Sequence, residues 1–120
     1  DAYLIKENHI EAMGGLKAVV RAAQATHRNC LLEVEVEDLT QLEQALACGV
    51  PRVLLDNFSL AQMNQAVTLN DGQAELEVSG NVTLANIAEI AATGIDFISV
   101  GALTKHIQAI DLSMRMAPFV

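Results

Sequence analysis

The chain has 120 residues, the length of one ordinary domain or of part of a larger one. Hydrophobic residues make up 52% and charged residues 18% of it, a balance that excludes intrinsic disorder. Seven Lys and Arg against fifteen Asp and Glu give a net charge of -8 with no basic run, so we expect no nucleic-acid partner. No apolar stretch approaches the ~18 residues of a membrane span, and two cysteines are too few for a disulfide scaffold. We therefore expect a cytoplasmic protein that keeps its thiols reduced and has no membrane partner.

Short aliphatic runs along the chain predict six strands. They lie at Tyr3–Lys6, Leu31–Glu37, Arg52–Leu55, Ala74–Val78, Asp96–Val100 and Ile110–Arg115. Two segments, 47–56 and 92–101, align without a gap, and Gly49 and Gly94 stand where a helix would end in a left-handed residue. The chain enters its first apolar run directly after Asp1, so we expect it to be part of a longer polypeptide.

Helices are predicted between these strands. Asp38 and Ser59 are each followed three residues later by Gln, the pattern of a capping box, and Thr83 is expected to cap a helix that runs to Thr93. Apolar residues recur at helical spacing in three groups: Leu16, Val19, Val20 and Ala23; Leu39, Leu42 and Leu46; and Leu84, Ile87, Ala88 and Ala91. Strands that alternate with helices predict parallel pairing through right-handed crossovers.

The second strand decides between an open doubly wound sheet and a barrel. Glu33, Glu35 and Glu37 alternate with apolar residues and therefore share one face. Helices cover both faces of an open parallel sheet, where three carboxylates would be buried at high cost, whereas a barrel offers them its interior and open mouth. A complete barrel takes about 250 residues. We therefore predict an α/β fold, an incomplete (β/α) barrel over residues 1–120 that lacks its N-terminal portion.

Acidic residues follow the second and third predicted strands. Function collects at the carboxyl ends of strands in parallel α/β folds, so Glu35 and Asp56 are candidates to bind a divalent cation, hydrogen-bond sugar hydroxyls or stabilise a developing positive charge. The alternatives are a turn or capping role for Asp56 and a solvated strand face for the glutamates. Lys6 ends the first strand, either as a contact for an anionic substrate or as an ordinary surface residue.

Small residues follow two later strands, as Ser79-Gly80-Asn81 and Val100-Gly101-Ala102. Backbone N–H groups before a helix bind phosphate, and glycine allows a close approach, although glycine also ends strands for the sake of a turn. No zinc, hydrolase-triad or P-loop motif is present in the sequence.

Several of these segments together resemble one family. They are Leu4-Ile5-Lys6-Glu7-Asn8-His9-Ile10, the alternating glutamate strand, Leu54-Leu55-Asp56-Asn57-Phe58, Leu76-Glu77-Val78-Ser79-Gly80-Asn81-Val82, Ile98-Ser99-Val100-Gly101-Ala102-Leu103-Thr104 and Ala109-Ile110-Asp111-Leu112-Ser113. In this order they resemble bacterial quinolinate phosphoribosyltransferase, the carboxylating nicotinate-nucleotide pyrophosphorylase. The resemblance covers about Leu4 to Met116 and only the C-terminal part of that family's barrel.

The resemblance implies a reaction: quinolinate and phosphoribosyl pyrophosphate would give nicotinate mononucleotide, pyrophosphate and carbon dioxide, with Mg2+ bound mainly through phosphoribosyl pyrophosphate. Lys6 would contact anionic substrate, and Glu35 and Asp56 would face the ribose and its oxocarbenium-like transition state. Ser79, Gly80, Asn81, Val100, Gly101 and Ala102 would surround the phosphate of the phosphoribosyl group. Glu35 is chosen over Glu37 on its spacing from Asp56.

The acidic charge of the chain adds a further expectation. Both substrates are polyanions, so a chain at -8 would not neutralise them, and the cationic groups that bind quinolinate must lie outside these residues. The resemblance implies that they come from the N-terminal portion and from a neighbouring subunit of a homodimer or higher oligomer. The isolated chain is therefore expected to be inactive. Two alternatives are another phosphate-binding barrel, such as a nicotinate phosphoribosyltransferase, and a non-catalytic assembly fragment that associates through open sheet edges.

Overall fold

The fold is a layer of parallel strands alternating with helices. A computed structural model describes residues 2–26 and 29–118. Its elements in chain order are β1 (Ala2–Ile5), α1 (Glu7–Ala12), α2 (Leu16–Thr26), β2 (Leu31–Val36), α3 (Leu39–Ala47), β3 (Arg52–Asp56), α4 (Leu60–Asn70), β4 (Glu75–Ser79), α5 (Ile87–Ala91), β5 (Phe97–Ile98) and α6 (Ala102–Lys105).

The five strands of the described residues form one sheet in the order β1-β2-β3-β4-β5, and every neighbouring pair is parallel. Doubly wound folds reverse their strand order within the sheet. The strand order of this sheet runs in one direction only. Each helix from α1 to α4 contacts the next one along the chain, as expected when successive crossovers run in one direction. The predicted α/β architecture of a partial barrel is therefore confirmed.

The two faces of the sheet differ in chemistry because side chains alternate along each strand. One face packs against the helices and is fully apolar: Ile5, Val34, Val36, Val53, Leu55, Leu76 and Val78 are each no more than 1% exposed. The opposite face, called the lumenal face here, carries Glu33, Glu35, Arg52, Leu54, Asp56, Glu75, Glu77, Ser79 and Phe97 in register. The sheet thus has a hydrophobic face toward the helices and a charged face on the opposite side.

The turns that position the strands follow from local sequence. Asp38 and Ser59 cap α3 and α4, and Gln62 completes the predicted capping box with Ser59. Gly49 and Gly94 adopt positive φ after α3 and α5, which confirms the repeated unit seen in the sequence. The apolar stripe predicted on α2 is buried as Leu16, Val19, Val20 and Ala23.

Three predicted elements differ in the structure. The helix expected from Thr83 begins only at Ile87, because Asn86 turns its side chain back to accept from the Thr83 N–H at 2.7 Å, and Leu84 is 97% exposed on this turn. The fifth strand shortens to Phe97–Ile98, although the Ser99 N–H still donates to the Val78 carbonyl at 2.9 Å.

The sixth strand, predicted at Ile110–Arg115, is absent: residues 107–118 form no regular element. A strand needs hydrogen bonds to a neighbour, and no described strand pairs with this segment. Its apolar side chains are left in solvent, at 79–88% exposure for Ile107, Ile110, Leu112, Met114 and Met116.

Candidate active site

The carboxyl ends of β3, β4 and β5 surround an open cavity of about 660 Å³. Its walls are formed by Asp56, Asn57, Ser79, Gly80, Asn81, Val82, Thr83, Ser99, Gly101, Ala102, Lys105 and His106. One acidic and two glycine-bearing strand ends therefore meet at one opening, whereas Glu35, the second predicted carboxylate, does not line it. Val100 is a further exception, because its side chain packs against the hydrophobic core and does not line the cavity.

Asp56 is held at the cavity by two neighbours. One carboxylate oxygen, Oδ1, accepts a hydrogen bond of 2.9 Å from the Ser79 hydroxyl, its register partner on β4. The other, Oδ2, accepts from the Asn57 side-chain amide at 2.8 Å. Both donors are neutral and fix the orientation of the carboxylate at the cavity wall, where a cationic transition state would be stabilised.

The loops after β3 and β4 are joined by their asparagines. Asn57, Gly80 and Asn81 all adopt positive φ, and the Asn81 amide donates to Asn57 Oδ1 at 3.1 Å. A Cβ at position 80 would lie 2.1 Å from Asn57 Oδ1 and 3.2 Å from the Asn57 backbone nitrogen. Only glycine fits there, because of its positive φ and its contact with Asn57, so the structure gives Gly80 a role in the turn.

The third wall of the cavity carries positive charge. Lys105 folds back over Gly101, and its Cε and Nζ lie 3.6 and 3.8 Å from where a Cβ on Gly101 would stand. Lys105 and His106 both line the cavity, although the sequence argument did not include them. The sequence could have indicated both residues, because they lie about one helical turn after Gly101, at the end of the single-turn helix α6.

Lys6, directly after β1, and Glu35, on β2, are not among the residues that line this cavity, although the sequence grouped them with Asp56. The Lys6 ammonium contacts Glu35 Oε2 at 2.5 Å, and this contact raises the pKa of Lys6 above its ordinary value, with smaller contributions from Glu7 and Asp56. The influence of Asp56 on Lys6 indicates that both lie at the same mouth. Glu37, the alternative to Glu35, follows the end of β2 and is exposed.

The lumenal face below the mouth carries a second acidic group. Glu33 is only 8% exposed, and burial, followed by repulsion from Glu77, raises its pKa from 4.5 to about 7. Glu77 accepts a short hydrogen bond from the Ser99 hydroxyl. Arg52 offsets this shift only in part: its charge lowers the pKa of Glu33, but its guanidinium is paired with Glu75 at 2.7 Å and lies over the Phe97 ring.

The described residues contain no cluster of side chains that would bind a metal ion on its own. In residues 2–26 and 29–118, no group of three or more His, Cys, Asp or Glu side chains is arranged to hold an ion. Among the described residues that line the cavity, Asp56 is the one carboxylate. That arrangement fits a cation held mainly by oxygens of a bound substrate. No described helix is long and apolar enough to cross a membrane.

Comparisons with known proteins agree with the motifs. The family model for the quinolinate phosphoribosyl transferase C-terminal domain matches residues 1–115. A carboxylating nicotinate-nucleotide pyrophosphorylase from Mycobacterium leprae is 40% identical over 97% of this chain, and the one from Homo sapiens is 37% identical over 94%. The chain spans 42% and 39% of the lengths of these two relatives.

Solved structures show the same likeness. The nicotinate-nucleotide pyrophosphorylase from Francisella tularensis superposes with a TM-score of 0.88 at 53% identity, over 94% of this chain and 40% of that one. A thiamine phosphate pyrophosphorylase from Pyrococcus furiosus, at 17% identity and a TM-score of 0.69, shares the fold alone. From its motifs, its fold and its relatives, the chain belongs to the quinolinate phosphoribosyl transferase family, in which it corresponds to the C-terminal domain.

Proposed function

We propose that the protein containing this chain transfers the phosphoribosyl group of phosphoribosyl pyrophosphate to quinolinate. The pyridine nitrogen would form the new bond to the ribose anomeric carbon, pyrophosphate would leave, and the adjacent carboxylate would depart as carbon dioxide, giving nicotinate mononucleotide. The observation that carries the proposal is the cavity in which Asp56 faces two glycine-bearing strand ends, in a chain whose relatives are named as carboxylating pyrophosphorylases.

Each end of the cavity suits one part of a phosphoribosyl donor. The Asp56 carboxylate, held by Ser79 and Asn57, would face the ribose and stabilise its positive charge in the transition state. Gly80 and Gly101 would let their backbone approach the phosphate, with Lys105 supplying a compensating charge. Asn81 and Ala102 complete this end, whereas Val100 would contribute only its backbone.

Lys6 and Glu35 would act beside the ribose. Their 2.5 Å contact fixes both side chains, so Lys6 would present its charge to an anionic substrate while Glu35 orients it. Mg2+ would supply charge neutralisation to the pyrophosphate, held mainly by substrate oxygens, with Asp56 as the carboxylate of this chain that can reach it. The ion pair leaves Glu35 partly neutralised, which favours a role in positioning.

The charge balance supports the need for another part of the protein. Residues 1–120 would form the C-terminal part of the barrel, and the N-terminal portion and a neighbouring subunit of a homodimer or larger oligomer would add the cations that bind quinolinate. The support is the net charge of -8 and the fact that relatives are more than twice as long. A cytoplasmic location is part of the proposal, in line with the free thiols of Cys30 and Cys48.

The test uses the protein at its natural length with quinolinate labelled in the carboxyl group that is lost. Release of labelled carbon dioxide that depends on phosphoribosyl pyrophosphate and Mg2+ would support the proposal, and conversion of nicotinate in place of quinolinate would refute it. Asp56→Asn is expected to lower kcat by about a hundredfold or more, the usual effect of removing one electrostatic stabiliser. The matched control is Asp71→Asn, an exposed position at the end of α4 where Asn suits the positive φ.

A second candidate, a non-catalytic assembly fragment, is favoured by the exposed apolar side chains of residues 107–116. Such a surface in a soluble domain indicates a partner. If the protein at natural length binds no phosphoribosyl pyrophosphate while the 120-residue chain sediments as an oligomer, the assembly role is the better description.

A further inference from the structure

Beneath the cavity, the lumenal face holds a carboxyl pair to which the proposed reaction gives no role. Glu33 on β2 and Glu77 on β4 face the same side of the sheet across β3, and both the charge of Glu77 and a side-chain hydrogen bond with it raise the pKa of Glu33. The Glu33 residue is only 8% exposed. Its Oε1 atom is buried and has no hydrogen-bond partner among the described residues. A buried carboxylate with an unsatisfied oxygen is costly unless it takes up a proton.

The nearby cation offsets the charge of this pair only in part, because Arg52 lowers the pKa of Glu33 by less than burial and Glu77 raise it. Arg52, the nearest one on β3, donates two hydrogen bonds to Glu75, at 2.7 and 3.0 Å, and stacks over Phe97. Glu35, the other charged group that faces Glu33, is itself acidic and is paired with Lys6. Like charges this close do not both ionise easily, so the neighbouring carboxylates favour the protonated form of Glu33.

Ser99 connects the pair to the cavity. Its hydroxyl donates a short hydrogen bond to Glu77 Oε1, and the same residue lines the cavity two positions before Gly101. The Ser99 N–H is fixed separately to the Val78 carbonyl at 2.9 Å. Because β5 has only two residues in regular pairing, these two bonds are what holds its carboxyl end against β4.

We propose that Glu33 and Glu77 share one proton and that this pair anchors Ser99, which makes Glu33 a positioning residue for the phosphate-binding end of the cavity. In this arrangement the protonated Glu33 carboxyl donates to Glu77, and Glu77 in turn accepts the hydrogen bond of the Ser99 hydroxyl. When the proton is lost, the two carboxylates repel, Glu77 shifts, and the strand end that carries Gly101 is held less firmly. The phosphate ligand in this inference rests on the proposed function.

The direction of the effect follows from the electrostatics. Burial and the neighbouring carboxylate place the titration of Glu33 near neutrality, at a pKa of about 7. Below that value the pair is intact, and above it the anchor of Ser99 is weakened. Loss of one net hydrogen bond corresponds to about fivefold in affinity.

The experiment measures phosphoribosyl pyrophosphate binding and steady-state kinetics of the protein at its natural length, at about pH 6 and about pH 8. Wild-type protein is expected to show a rise of about fivefold in Kd and KM between the two, with little change in kcat. Glu33→Gln keeps an amide donor for Glu77 and does not titrate, so its Kd at the higher pH should stay near the low-pH value. Ser99→Ala should have the weak affinity at both.

Comparing variants at the same pH removes the effect of substrate ionisation on Kd, because the substrate is identical in each measurement. The matched control is Glu43→Gln, on the exposed side of α3. An independent readout is the infrared stretch of a protonated carboxyl group, which should be present at the lower pH in wild type and absent from Glu33→Gln. If that band is missing, or if Glu33→Gln keeps the wild-type pH dependence, the inference is overturned. If the band is present but no phosphoribosyl pyrophosphate binds, the proposed function fails and the phosphate role of the pair falls with it.

Discussion

Replacing Glu33 with Gln is expected to change how the stability of the protein depends on pH. The folded protein raises the pKa of Glu33 from 4.5 to about 7, so the folded state binds this proton more tightly than the unfolded chain does. Stability from this group is therefore fully present below about pH 4.5 and is lost as the pH rises to about 7. Above that value the loss is complete and constant.

The size of the effect follows from the shift. Each pKa unit corresponds to about 1.4 kcal/mol, so the raised value amounts to about 3 kcal/mol of unfolding free energy between the two limits. Glu33→Gln removes the titration while preserving the shape of the side chain. The variant should therefore gain about 3 kcal/mol relative to wild type between about pH 4.5 and about pH 7.5.

Urea denaturation at a series of pH values measures this difference directly. Other titrating groups are common to both proteins and cancel in the comparison, and Glu43→Gln should show a difference that does not vary with pH. A stability difference between Glu33→Gln and wild type that is constant across the range would refute the burial argument. A difference of opposite slope would show that the Glu33 carboxylate is stabilised in the folded protein.

Three further substitutions test the packing and the turns. Gly80→Ala should destabilise the cavity loops and weaken phosphoribosyl pyrophosphate binding by tenfold or more, about the effect of 1.4 kcal/mol, whereas Gly72→Ala, at a similar φ with open space around it, should cost only about 1 kcal/mol of stability. Ser59→Ala should lower the unfolding free energy by about 1 kcal/mol through loss of the α4 cap. Leu42→Ala should cost about 2–5 kcal/mol in urea denaturation because the side chain is fully buried, while Leu84→Ala, almost fully exposed, should cost nearly nothing; equal costs would contradict the core described above.

Much of the fold was predictable because its determinants are local. Alternation of glutamate with valine on β2 set the charged and apolar faces, and the positive φ of Gly49 and Gly94 follows from helix ends that need a left-handed residue. The convergence of Asp56 and Gly80 at one opening followed from parallel pairing alone, since parallel strands end at the same edge.

The rest depended on neighbours that a pattern does not show. Ile110–Arg115 has the composition of a strand, but a strand forms only where another backbone offers hydrogen bonds. Lys105 reaches the cavity only because the single turn of α6 folds its side chain back over Gly101. The pKa of Glu33 likewise depends on Glu77, two strands away on β4, and the spacing of residues within β2 does not reveal that neighbour.

The contact of Asn57 with Gly80 has a consequence for how the protein can vary over time. The asparagine fills the space that any side chain at position 80 would need, so neither residue can change freely while the other stays. Relatives that keep a glycine at position 80 are expected to keep a small or amide side chain at position 57, and those that lose one are expected to have rebuilt both loops together. Asn57 and Asn81, which are 24 residues apart in sequence, are joined by a side-chain hydrogen bond. We therefore expect the two loops to change together.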